Sequence, residues 1–496
     1  MKKMKKVFAM LLAFAMVMGM SLTTFAADVP STSDKKEVKV ANITETGVTV
    51  KAYTIVDDNY TANGFTHYSW ASGCEFDANK AVFDENDKLN LTDAELAVLA
   101  GKADKLVLAD TLEKNADGVY VSKQLNVGVY MILVTGAPDT VFNPMIVSVY
   151  YDVNGALQAG TVDATSNWTL KTENAYAKSS KSTVDKNILV NDVKTKGDDV
   201  AYNDTISFIL DEMTIPSYSS QYGTVEYKVV DTMSAGLTYA NNLVVKVGGA
   251  VVDTSKYTAK VEGQVLTVSL DSTFIKENAL KKVEIRYDAK LNEKAALDEL
   301  GNTNTVKVQY TNNPTANAVL ADTDEITTYH YTFDFQIKKV AFDNQETLLN
   351  GAEFTLYKGD EEIRKASTAN GVLSFAGLDA GSYTFKETKA PTGYKLDETV
   401  HTVDIATNYF ADGTLKTYTI TVDKDTDDEL VIEQYVKDET SKQVTVDNAV
   451  PVTITNTKMS ALPSTGGIGT AVFTIGGCAI MVVAAYFFLA NRKKES

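Results

Sequence analysis

Apolar and polar residues alternate with a period of two along most of this chain, and that period leaves little but β-sheet open to it. Val48-Thr49-Val50-Lys51-Ala52-Tyr53, Val225-Glu226-Tyr227-Lys228-Val229, Val283-Glu284-Ile285-Arg286-Tyr287 and Val306-Lys307-Val308-Gln309-Tyr310 all follow it. Thr, Val and Tyr suit a pleated, half-buried surface. Turns rich in Gly and Asn separate the runs, as in antiparallel sandwiches. Two short helices are expected to interrupt them. Thr92 with Glu95 forms a capping box ahead of Leu96, Val98 and Leu99. Asn292 to Leu300 reads as a second helix, with Gly301 as its stop.

The two ends say where such a chain goes. Lys2, Lys3, Lys5 and Lys6 precede an apolar core from Val7 to Met20, and Thr24-Phe25-Ala26 supplies small residues at a cleavage site. Residues 1–26 therefore read as a signal peptide cut after Ala26, with Ala27 a close alternative. At the other end Leu462-Pro463-Ser464-Thr465-Gly466 is followed by uncharged residues 468–490 and a basic tail at 491–496 containing Arg492, Lys493 and Lys494. An uncharged run of that length makes a helix of roughly 34 Å, enough to cross a bilayer, and the basic tail holds the end on the cytoplasmic side. Motif, span and tail in this order resemble the L-P-x-T-G cell-wall sorting signal of Gram-positive surface proteins. The resemblance implies that a sortase thiolate attacks the Thr465 carbonyl and releases Gly466 onward, so that membrane anchoring is transient and peptidoglycan is a partner.

The full chain carries a net charge of −18. The leader holds four lysines and the discarded tail a net +2, which leaves −24 on the mature part. That charge argues against nucleic acid and anionic membrane surfaces as partners. About 440 mature residues are too many for one core, so about three domains are expected. Cys74 is the sole mature thiol, because Cys478 lies in the discarded segment. With no internal disulfide available, an extracellular chain needs another source of durability. His67, His330 and His401 are far apart and show no ligand spacing. Asp423, Asp425 and Asp427 have calcium-loop spacing, but Asp428 and Gln434 stand where Gly and Glu are required, so an acidic turn is expected there. No metal and no cofactor is expected.

Polar stretches divide the mature chain into 28–178, 179–327 and 328–457, followed by the motif at 462–466. The third segment contains Leu349-Asn350-Gly351-Ala352-Glu353-Phe354-Thr355-Leu356-Tyr357, then Tyr383-Thr384-Phe385-Lys386-Glu387-Thr388 running into Ala390-Pro391-Thr392-Gly393-Tyr394, and closes on Val452-Thr453-Ile454-Thr455-Asn456. It resembles the B-type (CnaB-like) repeat of collagen adhesins, also the last domain of Gram-positive pilins. The second segment has Thr183-Val184-Asp185-Lys186, Val230-Asp231-Thr232-Met233, and Asn304 ahead of Tyr310-Thr311-Asn312-Asn313-Pro314. It resembles the isopeptide-forming middle domain of fimbrial shaft proteins. The first matches more loosely, through Leu125-Asn126-Val127-Gly128-Val129-Tyr130 and Asn143-Pro144-Met145. The fold implied is all-β, a tandem of immunoglobulin-like sandwiches with short helical insertions and a C-terminal transmembrane helix.

This resemblance implies a Lys–Asn isopeptide bond in each of the last two domains, joining first and last strands: Lys186 to Asn304 with Asp231 as the acid, and Lys339 to Asn456 with Glu387. A buried Lys amine loses its charge and becomes nucleophilic. Burial also keeps the acid protonated, able to polarise the Asn carbonyl. Attack expels ammonia, and folding supplies the proximity, so the bond forms once without turnover. Phase agrees for the third domain, since Phe333, Phe335, Ile337 and Lys339 share one strand face. Lys51 lies on a strand of the first domain but has no matching Asn and acid.

Major pilins also carry a Trp and then Tyr-Pro-Lys near the end of the first domain, and that lysine attacks the sortase–pilin thioester. Here Trp168 is followed by Ala175-Tyr176-Ala177-Lys178, with Ala177 in place of the proline. Lys178 is the candidate, with Lys171 and Lys181 as rivals. The resemblance therefore implies a non-enzymatic shaft subunit of a wall-anchored pilus, with sortase, further subunits and any tip adhesin or host ligand as partners. The alternative is a minor pilin or a monomeric wall-anchored adhesin.

Overall fold

The computed structural model describes residues 28–459, apart from 154, 219–221, 298, 316–319, 439–443 and 448–449, together with the helix Gly469–Arg492. The leader and the motif 462–466 lie outside the described residues. Among the described residues no helix is long and apolar enough to cross a membrane, and the side chains at both ends of Gly469–Arg492 lie outside them.

Three hydrophobic cores follow one another along the chain. The first domain wraps its core with a ten-stranded sheet built around the long strand Thr49–Thr61. Its helix Asp93–Gly101 starts at the expected capping box, with Thr92 and Glu95 exchanging hydrogen bonds, and buries Leu96 and Leu99. Cys74 is buried, and burial pushes its thiol up to about 11, which suits a packed small hydrophobe.

The second domain sets two seven-stranded sheets face to face. One contains Asp185–Val190, Thr205–Thr214 and Lys282–Leu291; the other contains Tyr227–Met233, Asn302–Tyr310 and Ile326–Tyr331. Ile326–Tyr331 pairs antiparallel with Asn302–Tyr310 and parallel with Gly197–Asp199. This strand crosses the expected boundary at 327/328 and ends the second domain, and the third begins with Phe333–Ala341. The expected helix over 292–300 is not formed among its described residues. The Asn292 side chain accepts from Lys294 N, its carbonyl accepts from Ala295 N, and Asn302 bonds both the N–H and the carbonyl of Ala296, so side chains tie this segment into turns. The helix that does form is Ser272–Glu277, whose cap Asp271 accepts from Thr273 N and Phe274 N.

The third domain packs a four-stranded sheet against a seven-stranded one. Its last strand, Val452–Asn456, lies parallel to its first, with Lys339 opposite Ile454 and Ala341 opposite Asn456.

The joints between domains are built from short strand pairing and side-chain hydrogen bonds. Ser179–Ser180 pairs with Val141–Phe142 of the first domain, and Asn312 Nδ2 donates to Ala137 O at 2.7 Å. At the second joint Asp199 accepts from Ala380 N at 2.7 Å, Tyr409 OH at 2.7 Å and Thr407 Oγ1 at 3.0 Å. Gly377 (φ +75°) lies under the Tyr202 ring, where a Cβ would come within 2.2 Å of ring carbon.

Candidate functional site: two buried Lys, acid and Asn triads

Alternation along Asp185–Val190 and Tyr227–Met233 turns Lys186 and Asp231 inward, where both are buried, and Asn304 joins them from Asn302–Tyr310. Lys186 stands on one sheet; Asp231 and Asn304 stand on the facing one. The Lys186 ammonium pairs directly with the Asp231 carboxylate and lies 5.0 Å from the Phe208 ring centroid. Burial pulls the Lys186 amine down to about 8, and the Asp231 charge opposes that shift. Tyr287 stands at the centre, a residue that sequence reasoning passed over. Its hydroxyl accepts from Lys186 Nζ at 3.2 Å and from Asn304 Nδ2 at 2.6 Å, and donates to Asp231 Oδ1 at 2.8 Å. Nothing in the sequence set it apart from other inward tyrosines. Its place opposite Phe208 midway along Lys282–Leu291 is set by the sheet register.

In the third domain Lys339, Glu387 and Asn456 are all buried. Lys339 Nζ is 3.4 Å from Glu387 Oε1 and donates to Thr455 O at 3.3 Å. Burial lowers the Lys339 amine, with Glu387 opposing. Asn456 Nδ2 donates to both Glu387 oxygens, at 3.1 and 2.9 Å, and to Lys395 O at 2.7 Å. The Asp397 N–H holds Glu387 Oε2 at 2.8 Å.

Two expectations change on this geometry. In the second domain the lysine is on the first strand, but Asn304 is not on the last, because Ile326–Tyr331 follows it. A Lys186–Asn304 link would cross between sheets, whereas a Lys339–Asn456 link would join neighbouring parallel strands. Secondly, the acids do not face the Asn carbonyls. In both triads the amide nitrogen carries the hydrogen bonds, and Asn304 Oδ1 and Asn456 Oδ1 are buried without a partner among the described residues. In the third domain the acid accepts from that nitrogen, and in the second the Tyr287 hydroxyl does.

Lys178 is exposed and, among the described residues, its side chain has no hydrogen-bonding or ionic partner. Ala175–Tyr176 pairs parallel with Lys39–Ala41. The Ala177 N–H then donates to Ala41 O at 2.9 Å, a bond a proline could not make. Tyr176 lines a groove of about 1040 Å³ with Asn42, Ile43, Lys114 and Asn174. Of the rivals, Lys181 is paired with Asp139 at 2.9 Å, which raises its amine, and Lys171 is exposed on Trp168–Glu173. No lysine is buried among the described residues of the first domain, and Lys51 is half-exposed. Asp423 accepts from the Thr402 N–H and contacts His401 Nδ1 at 2.7 Å, within a turn that Thr426 N closes on Asp423 O. His330 is buried against Phe208, and burial holds its imidazole down at about 3, which keeps it neutral.

Comparison with known proteins matches most of the chain in sections. Residues 33–179 match the T6 antigen Ig like domain, 204–314 the Gram-positive pilin backbone subunit 2, Cna-B-like domain, 333–433 the SpaA prealbumin-like fold domain, and 454–496 the LPXTG cell wall anchor motif. The trypsin-resistant surface T6 protein of Streptococcus pyogenes serotype M6 is 27% identical over 558 aligned positions, covering 97% of this chain and 99% of that protein. The solved T6 backbone pilin of the same serotype shares the fold at a TM-score of 0.61 and 21% identity, over 87% of this chain and 100% of that one. The major pilin SpaD from Corynebacterium diphtheriae gives 0.48 and 21%, over 86% and 99%.

Proposed function

We propose that this chain, a Gram-positive backbone pilin by its domains and its anchor, is joined into a pilus shaft through Thr465 of one subunit and Lys178 of the next. It is a structural protein, extracellular and anchored to the cell wall. The observation that carries the Lys178 assignment is its exposed amine, without a partner among the described residues, just past the strand Ala175–Tyr176. Sortase holds Thr465 as a thioester, the Lys178 amine attacks that carbonyl, and an amide links the subunits as the thiolate leaves. On the last subunit the acceptor is peptidoglycan, and the apolar run 468–490 holds each chain in the membrane until it is cut.

Within each subunit the two buried triads form Lys–Asn amides by themselves. The ammonium passes one proton to the carboxylate, which leaves a neutral amine and a carboxylic acid. The amine attacks the Asn Cγ, a second proton moves from that nitrogen to the amide nitrogen, and ammonia departs. An ion pair is thereby exchanged for a neutral buried amide, which low-dielectric surroundings favour. The buried, down-shifted Lys186 and Lys339 amines beside Asp231 and Glu387 support this reading.

Two measurements test it. Wall extracts should give a ladder of covalent oligomers that Lys178→Ala abolishes. A single monomer-sized band in the wild type would instead indicate a minor pilin or a monomeric adhesin. The intact mass of the mature region should fall short of its sequence mass by one ammonia per bond, two in all, and a full sequence mass would remove the self-joining mechanism.

A further inference from the structure

The two triads differ in what lies between the reacting nitrogens. In the third domain the Glu387 carboxyl itself reaches both, Lys339 Nζ at 3.4 Å and Asn456 Nδ2 at 2.9 Å. In the second, Asp231 holds Lys186 but makes no hydrogen bond to Asn304 among the described residues. The gap is filled by one phenol. Tyr287 OH touches both nitrogens and, with its own proton, the acid. We propose that Tyr287 is a further catalytic residue of the second domain, carrying the proton from the attacking Lys186 nitrogen to the leaving Asn304 nitrogen. The inference rests on the isopeptide reading given above.

The step balances. Asp231 takes the first proton of the Lys186 ammonium. The neutral amine bonds to Asn304 Cγ, and the carbonyl π pair moves onto Oδ1. The attacking nitrogen, now cationic, gives its second proton to the Tyr287 oxygen. As it does so, the phenol's own proton swings from Asp231 Oδ1 to Asn304 Nδ2. The Oδ1 pair returns to re-form the carbonyl, the Cγ–Nδ2 bond breaks, and ammonia leaves. Tyr287 ends as a phenol and Asp231 as a carboxylic acid. Burial next to Asp231 pushes the Tyr287 hydroxyl far above its ordinary range, so free phenolate is excluded and the two transfers must be concerted. The ring is fixed for this work. Phe208 stacks on it at 5.1 Å and Tyr239 meets it edge-on at 5.7 Å.

The test follows ammonia loss in freshly synthesised mature chain by intact mass and peptide mapping, for the wild type, Tyr287→Phe and Lys186→Ala. Lys186→Ala supplies a second domain that cannot form the bond but keeps the phenol. Tyr287→Phe is expected to fold with a cooperative melt like that of Lys186→Ala, to complete the Lys339–Asn456 bond, and to form the Lys186–Asn304 bond at least tenfold more slowly than the wild type. Formation at the wild-type rate would overturn the relay. Failure of Tyr287→Phe to fold where Lys186→Ala folds would assign the hydroxyl to packing and overturn it too. A wild-type chain that never joins Lys186 to Asn304 would strike the isopeptide reading itself, and the wild type alone reports that outcome.

Discussion

Asn456→Ala isolates what a Lys339–Asn456 bond contributes to stability. The substitution removes the electrophile and the Asn456 Nδ2 hydrogen bonds to Glu387 and Lys395 O, while Lys339 keeps Glu387 at 3.4 Å and its bond to Thr455 O. The bond would close a loop of 117 residues. In the loop-entropy description that closure is worth about 4.9 kcal/mol at 25 °C. A domain of about 125 residues unfolds with an entropy of roughly 0.26 kcal/mol/K, so the loss corresponds to a fall of about 19 °C in the melting temperature of the third domain. Differential scanning calorimetry of the mature chain, alongside intact mass, reads both quantities. The variant should show no ammonia deficit in the third domain, its mass there matching its own sequence, and should melt that domain far below the wild type. A shift under about 5 °C, with the wild-type bond present by mass, would refute the entropy argument. Glu387→Ala should be worse than Asn456→Ala, because it also strands the buried Lys339 charge at a further cost of about 3–5 kcal/mol.

Other outcomes follow from the joint between the second and third domains. Asp198 is pushed up to about 7 by burial, then by Asp199, Asp379 and Asp204. The folded chain therefore holds a proton there after the unfolded chain, with its ordinary value of 3.8, has lost it. The sign is that stability falls as pH rises from about 4 to 7. Asp198→Asn should match the wild type in melting temperature near pH 4 and exceed it at pH 8, and equal melting at both would contradict the assignment. Gly377→Ala should weaken the joint by about 1–3 kcal/mol, since the backbone is left-handed there and Tyr202 fills the space of a Cβ. Calorimetry should show the second and third domains melting lower in that variant, and unchanged transitions would exclude the strain.

The fold class was legible because strand faces announce themselves by period. Lys339 shares its face with Phe333, Phe335 and Ile337, and that phase, beside the resemblance, pointed the amine inward. The capping box at Thr92 is equally local. Where the reading missed, the cause was tertiary. The helix expected over 292–300 lost to hydrogen bonds from Asn302, ten residues beyond Asn292. The strand Ile326–Tyr331 looks no different from the start of a new domain, and only its pairing with Asn302–Tyr310 assigns it to the old one. Tyr287 was invisible for the same reason. Its role depends on a facing sheet, and alternation tells which side a residue takes but not what waits across the core.

In the proposed shaft the position of Lys178 would also set how a fibre carries load. Tension arriving through Lys178 and leaving through Thr465 would run along the second and third domains only. The 150 or so residues upstream would hang from that line as a side branch, pulled by nothing but flow. Such a branch has no need of a covalent clip. It can accept insertions, vary its outward face or be trimmed by proteases while the shaft keeps its tensile strength.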